Sequence, residues 1–159
     1  KGRVYLGDEQ GGLHAFAVKD GAKLWSHAIK DRISACPAVC PAGILFAGEQ
    51  GALALVGFDG KVRWTRTLEV EEVHQPVATE SQVLVPTSDG LRVLRQSDGA
   101  PDPRFPVQGQ GGHVVSVVPY GDQICFVSYH ISLQESQGLS FTDAGGNAHV
   151  WAPAPAEDD

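Results

Sequence analysis

AFAVKDGAKLW, residues 15–25, is the stretch whose reading decides the fold. Leu13, Ala15 and Ala17 place small or apolar side chains at every second position, the period of a strand with one covered face. Lys19, Asp20 and Gly21 then form a turn, with the glycine free to take the positive φ that tight hairpins need. A second strand closes on Trp25. The same eleven-residue unit returns at 54–64 as ALVGFDGKVRW, and more loosely at 141–151 as FTDAGGNAHVW.

The units also align over a greater length. VYLGDEQGGL (4–13) matches ILFAGEQGAL (44–53) almost position for position, a third unit spans 82–105, and a fourth spans 123–151 with an insertion around 131–137. Leu13, Leu53, Leu91 and Leu139 are separated by 40, 38 and 48 residues; Trp25, Trp64, Phe105 and Trp151 by 39, 41 and 46. A period near 40 with strand content is the mark of propeller blades, each a four-stranded antiparallel sheet. In the second unit the strands read 34–39, 44–48, 53–56 and 62–68, and Asp-Gly pairs at 20–21, 59–60, 89–90 and 98–99 punctuate the chain. The expectation is an all-β propeller segment of about four four-stranded antiparallel blades, with repeats near 2–30, 33–68, 73–107 and 112–152. The first repeat lacks an opening strand. A partial ring leaves open blade faces and edge strands. The segment is therefore expected to be the C-terminal part of a seven- or eight-bladed propeller. Its other blades would come from upstream sequence, another chain or a second copy. PAPAEDD (153–159) reads as a disordered acidic tail.

Composition removes several function classes. The net charge is −7 with no basic cluster, which disfavours a nucleic-acid partner and an anionic membrane surface. No apolar run reaches the roughly 18–20 residues of a helical membrane span, so membrane insertion is not expected. Cys36 and Cys40 stand about 13 Å apart at strand rise, beyond the roughly 7 Å limit for a disulfide. With Cys125 they read as buried free thiols, which favours a reducing, cytoplasmic setting, or a periplasmic one if an upstream signal is missing. None of the six histidines falls in an HxH, HxxH or HExxH pattern, so no zinc motif is present. Gly109-Gln110-Gly111-Gly112 lacks the lysine and the following helix of a phosphate loop, and no serine sits in a nucleophile elbow. Glu69, Glu71 and Glu72 read as a solvated strand end, with a cation or partner contact as the alternative.

The repeats resemble PQQ-like (quinoprotein-type, tryptophan-docking motif) β-propeller repeats. That motif runs Ala-x-Asp-x-x-Thr-Gly-x-x-x-Trp. Ala15, Gly21 and Trp25 match it, as do Ala54, Gly60 and Trp64; the fourth unit matches at Asp143 and Trp151. Ala17 and Val56 replace the family's Asp, Asp20 and Asp59 its Thr, and the third unit has Phe105 in place of the Trp, two places late. The resemblance implies that Trp25, Trp64 and Trp151 are blade-to-blade staples. It also implies what a quinoprotein dehydrogenase would need: a Ca²⁺ held by Glu, Asn and Asp, a catalytic Asp, a vicinal cysteine pair and a stacking Trp. The sequence shows no such set, so no cofactor, metal or catalytic residue is expected. The resemblance points instead to a non-catalytic scaffold or sensor module that binds protein. Such propellers occur in the outer-membrane barrel assembly machinery and as appended domains of bacterial kinases and other signalling proteins. The chain would then be part of a larger bacterial multidomain protein, and a fragment of a PQQ-dependent quinoprotein oxidoreductase is the alternative. His130 and Gln134, in the fourth-unit insertion, join Glu69, Glu71 and Glu72 as candidate partner contacts.

Overall fold

The computed structural model describes residues 2–105, 113–120, 123–129, 137–142 and 148–151. Among them are four antiparallel sheets and no helix. The first sheet holds β1 (Arg3–Gly7), β2 (Gly12–Ala17) and β3 (Lys23–Ala28). The second holds β4 (Ala38–Cys40), β5 (Gly43–Ala47), β6 (Ala52–Val56) and β7 (Val62–Thr67). The third holds β8 (Val77–Ala78), β9 (Gln82–Thr87) and β10 (Gly90–Arg95). The fourth holds β11 (His113–Tyr120), β12 (Gln123–Tyr129), β13 (Gln137–Thr142) and β14 (Ala148–Trp151). Each sheet runs in chain order, as meandering hairpins dictate.

The core is a series of layers between sheets. Ile44, Phe46, Ala54 and Val56 face the first sheet, where Leu13, Tyr5 and Trp25 meet them. Leu45, Leu53, Leu55 and Trp64 face the third, against Val83, Val85 and Leu94. Leu84, Leu91, Val93 and Phe105 then pack on Val114, Val117 and Ile124 of the fourth. Successive residues of β5 therefore enter different layers, which is why it reads as an unbroken apolar run. The outer strand β7 is exposed except at Trp64.

The first repeat, expected without its opening strand, forms a sheet of three strands among the described residues; the third sheet also has three, where four are expected. Where the third sheet's outer strand would lie, a single bridge joins Leu94 to Pro101. Pro101 and Pro103 have no N–H to extend the ladder. Phe105 is nonetheless buried in the layer against the fourth sheet. The strand expected over 34–39 is also shorter, limited to Ala38–Cys40 after Pro37.

The hairpin turns show how one repeat tolerates sequence change. In the first, Asp8 Oδ1 accepts hydrogen bonds from the backbone N–H of Gln10 (2.8 Å) and Gly12 (2.7 Å). The second has Gly48 in place of that aspartate. Asp31, from the crossover after β3, supplies the carboxylate instead, accepting from Gln50 N–H (2.9 Å) and Ala52 N–H (3.1 Å). A Cβ on Gly48 would lie 2.3 Å from Asp31, so the substitution and the incoming side chain go together.

Beside the third sheet, Asp102 is only 3% exposed. Its carboxylate accepts from Arg104 Nη2 at 2.7 Å and from Gln82 Nε2 at 2.7 Å. These bonds, Arg104 first, hold its pKa well below the usual carboxylate value despite burial. A carboxylate whose folded pKa is depressed stabilises the fold above its unfolded pKa and loses that contribution as pH falls. The exposed pair of Asp98 with Arg95 lowers the Asp98 pKa to about 2 and adds a smaller share in the same window. Between pH ~4 and ~2 the urea midpoint should therefore fall. Asp102→Asn should flatten that fall and cost about 1–2 kcal/mol at neutral pH. An unchanged acid profile in the variant would exclude Asp102 as its source.

Candidate functional site

The tryptophans meet the turn glycines of the following sheet. A Cβ on Gly60 would lie 2.8 Å from Cδ1 and Cγ of Trp25, and one on Gly99 would lie 2.7 Å from Cε3 of Trp64. Both glycines have positive φ, 83° and 68°. The aspartate-glycine turn therefore reverses the chain and presents a bare patch of backbone on which an aromatic ring can lie. Trp64 is buried, and its Nε1–H donates to Gln96 O at 2.8 Å. Trp25 is half-buried between Tyr5 (ring centroids 5.9 Å apart) and Phe46 (6.4 Å, edge-on), and its Nε1 has no hydrogen-bond partner among the described residues. Hydrogen bonds from His27 to Gly60 O, and from Arg66 Nη2 to Asp98 O (3.2 Å), reinforce the two joints.

Ala15 and Ala54, buried on the middle strands, keep the layers close. Gly21 has the same turn conformation, φ 70°, but nothing lies within 4 Å of where its Cβ would stand. Trp151 ends β14, and its side chain is outside the described residues, as is Asp143.

Glu69, Glu71 and Glu72 are exposed on the crossover from β7 to β8. The backbone there is well anchored. Ser88 N–H donates to Glu72 O (3.0 Å), Val73 N–H to Glu49 O (2.9 Å), and His74 N–H to Pro86 O (2.9 Å). This places Glu72 beside His74 of the same crossover and His113 at the start of β11 in the fourth sheet. His74 Nε2 is 2.6 Å from His113 Nε2, with the rings stacked at 4.8 Å. Glu72 Oε1 lies 3.9 Å from His74 Nδ1 and Oε2 lies 3.6 Å from His113 Nε2. Burial holds the His74 pKa below its usual value; Glu72 opposes this and His113 adds to it. The crossover is thus more than a solvated strand end, since one of its three glutamates faces imidazoles. His130 and Gln134 are outside the described residues.

Short-range spacing hides this cluster. His74 and His113 are 39 residues apart, as are Cys36 and Gln75, whose side chain clasps the Cys36 backbone through N–H···Oε1 (3.0 Å) and Nε2–H···O (2.7 Å). Both separations equal the repeat, so each pair joins equivalent positions of adjacent repeats. A search at the blade period would have found the histidines.

Cys36 and Cys40 are both free, but only Cys40 is buried, where burial raises its thiol pKa. The expectation of buried thiols fails at Cys36, which lies on the exposed run before β4.

The family model described as outer membrane protein assembly factor BamB matches residues 9–102. The outer membrane protein assembly factor BamB of Yersinia pestis is 28% identical over 110 residues, 61% of this chain and 28% of that protein. Among solved structures, BamB from Moraxella catarrhalis superposes with a TM-score of 0.74 at 18% identity, over 93% of this chain and 49% of that one. Quinohemoprotein alcohol dehydrogenase from Comamonas testosteroni gives 0.73 at 12%, over 95% and 33% respectively. The chain therefore spans between about a quarter and a half of these relatives' lengths. The structural likenesses show the fold, that of a PQQ-like β-propeller segment. The cytoplasmic setting finds no support in relatives whose name concerns outer-membrane proteins. No helix among the described residues is long and apolar enough to cross a membrane.

Proposed function

Since this chain belongs to the BamB family of PQQ-like propeller repeats, we propose that it is a protein-binding scaffold segment of a larger propeller and carries no catalytic site. The observation that carries the reading is the family match over residues 9–102, which ties the repeat to an assembly factor by name.

The outer face of the first sheet supports the larger ring. Val4 and Leu6 stand one repeat before Ile44 and Phe46, which are fully buried by the first sheet. Val4 is 49% exposed, Leu6 39% and Leu24 44%, and Gly21 offers the same bare turn that Gly60 and Gly99 offer to tryptophans. A further blade ending in Trp fits that face, and seven or eight blades would close the ring. The exposed crossover with Glu69 and Glu71 is then a surface where protein partners bind; His130 and Gln134, outside the described residues, are proposed as further partner contacts. The relatives' name favours a periplasmic setting.

Two measurements on the intact protein test this. A photo-reactive residue at Leu6 should crosslink to another propeller blade, and one at Glu71 to a separate protein. Titration with PQQ in the presence of Ca²⁺ should show no saturable uptake. Stoichiometric uptake would overturn the scaffold reading and place the chain with the quinoprotein oxidoreductases.

A further inference from the structure

Glu72, His74 and His113 lie outside the tryptophan joints, and the repeat motif uses none of them. We propose that these three side chains bind a divalent transition-metal ion of the zinc type, tying the crossover between β7 and β8 to the fourth sheet. Two imidazoles and one carboxylate are an established zinc donor set, with water completing a tetrahedron. Imidazole donors favour zinc, copper or nickel, whereas calcium and magnesium require shells of oxygen that one carboxylate does not supply. No cysteine is among the grouped donors.

The positions suit that set. Their donor atoms all lie within 4.8 Å of one another. Bonds of ~2.0–2.1 Å at tetrahedral angles separate donors by roughly 3.3 Å. Glu72 Oε2 and His113 Nε2 are 3.6 Å apart, close to that edge. The two imidazole nitrogens, at 2.6 Å, have to part by under about 1 Å, a small ring rotation. At their present separation the N–H of one ring donates to the bare nitrogen of the other. On metal binding that proton moves to the other nitrogen of its own ring or is released to water, and the ion takes its place with Glu72 as the third donor. Both histidines are anchored by backbone. His74 N–H is bonded to Pro86 O (2.9 Å), and His113 opens β11 opposite Tyr129. Both rings are mostly buried while Glu72 is exposed, so an ion enters from the glutamate side.

The test uses the intact protein after exhaustive EDTA dialysis, titrated with zinc sulfate by calorimetry and with cobalt(II) by visible absorption. The expected result is one equivalent of zinc and a tetrahedral cobalt spectrum. At a hundredfold excess over Kd the melting temperature should rise by about 5–10 °C, reversibly with EDTA. His74→Gln with His113→Gln should abolish uptake while leaving the metal-free circular dichroism spectrum unchanged. Glu72→Gln, at an exposed position, should weaken binding at least ~10-fold, and it decides the matter if the histidine variant fails to fold. Absence of saturable uptake, uptake unchanged in these variants, or calcium chloride competing equally with zinc would each overturn the proposal.

Discussion

Trp64→Ala should lower the unfolding free energy by about 3–5 kcal/mol, a fall of roughly 6–20 °C in melting temperature. The ring is buried in the layer between second and third sheets, touches the Gly99 turn, and donates to Gln96 O. Its removal opens a cavity and leaves that carbonyl without its donor. In a repeat protein the loss falls on the coupling between neighbouring units. The urea transition should therefore broaden as well as shift, because the two sheets no longer unfold together. Trp64→Phe keeps most of the ring and loses the hydrogen bond, so about 0.5–1.5 kcal/mol is expected. Trp25→Ala should cost less than Trp64→Ala, since Trp25 is half-buried and its Nε1 has no partner among the described residues. Equal losses at the two positions would show that ring burial is not what couples the sheets.

The second large effect isolates the surface on which the ring rests. Gly21 and Gly99 adopt nearly the same left-handed conformation, φ 70° and 68°. Alanine at either position therefore pays about 1–2 kcal/mol of backbone strain. At Gly21 the added methyl meets open space, while at Gly99 it lies 2.7 Å from the Trp64 ring. Gly99→Ala should cost about 1–3 kcal/mol more than Gly21→Ala, the usual penalty for overpacking. In a Trp64→Ala background that excess should vanish, a coupling that a double-mutant cycle in urea reads directly. An excess that survives without the ring would remove Trp64 as its cause.

Much of this architecture is visible in the residues alone. The recurrence of Trp25 at Trp64, with aspartate-glycine turns between, specifies hairpins of fixed length, and fixed length specifies stacked sheets. What escapes such a reading is any feature that depends on which positions face one another across sheets. The pairing of His74 with His113 is one, since neighbours in space are a full repeat apart in sequence. The three-stranded third sheet is another. Pro101 and Pro103 lie between the strands there, yet their effect shows only in the structure, where the ladder beyond β10 shrinks to the single bridge from Leu94 to Pro101. Glu72 was legible as an exposed acid with a cation contact as the alternative, but its two imidazole neighbours were not, because its crossover is positioned by Glu49 and Ser88 from two other turns.

The exchange of Asp8 for Asp31 has a consequence for how the chain assembles. The first hairpin carries its own turn acceptor and closes using local sequence only. The second lacks one at Gly48 and waits for a carboxylate that arrives on the strand-to-strand connection leaving its predecessor. The N–H groups of Gln50 and Ala52 are satisfied by Asp31 only with that connection docked, which predicts that the second hairpin closes after the first, in short steps of low loop-closure cost. Pulse-labelled amide exchange that protects Gln50 and Ala52 as early as Gln10 and Gly12 would overturn this order. A side chain moved by one element thereby turns two copies of a hairpin into a template and its follower.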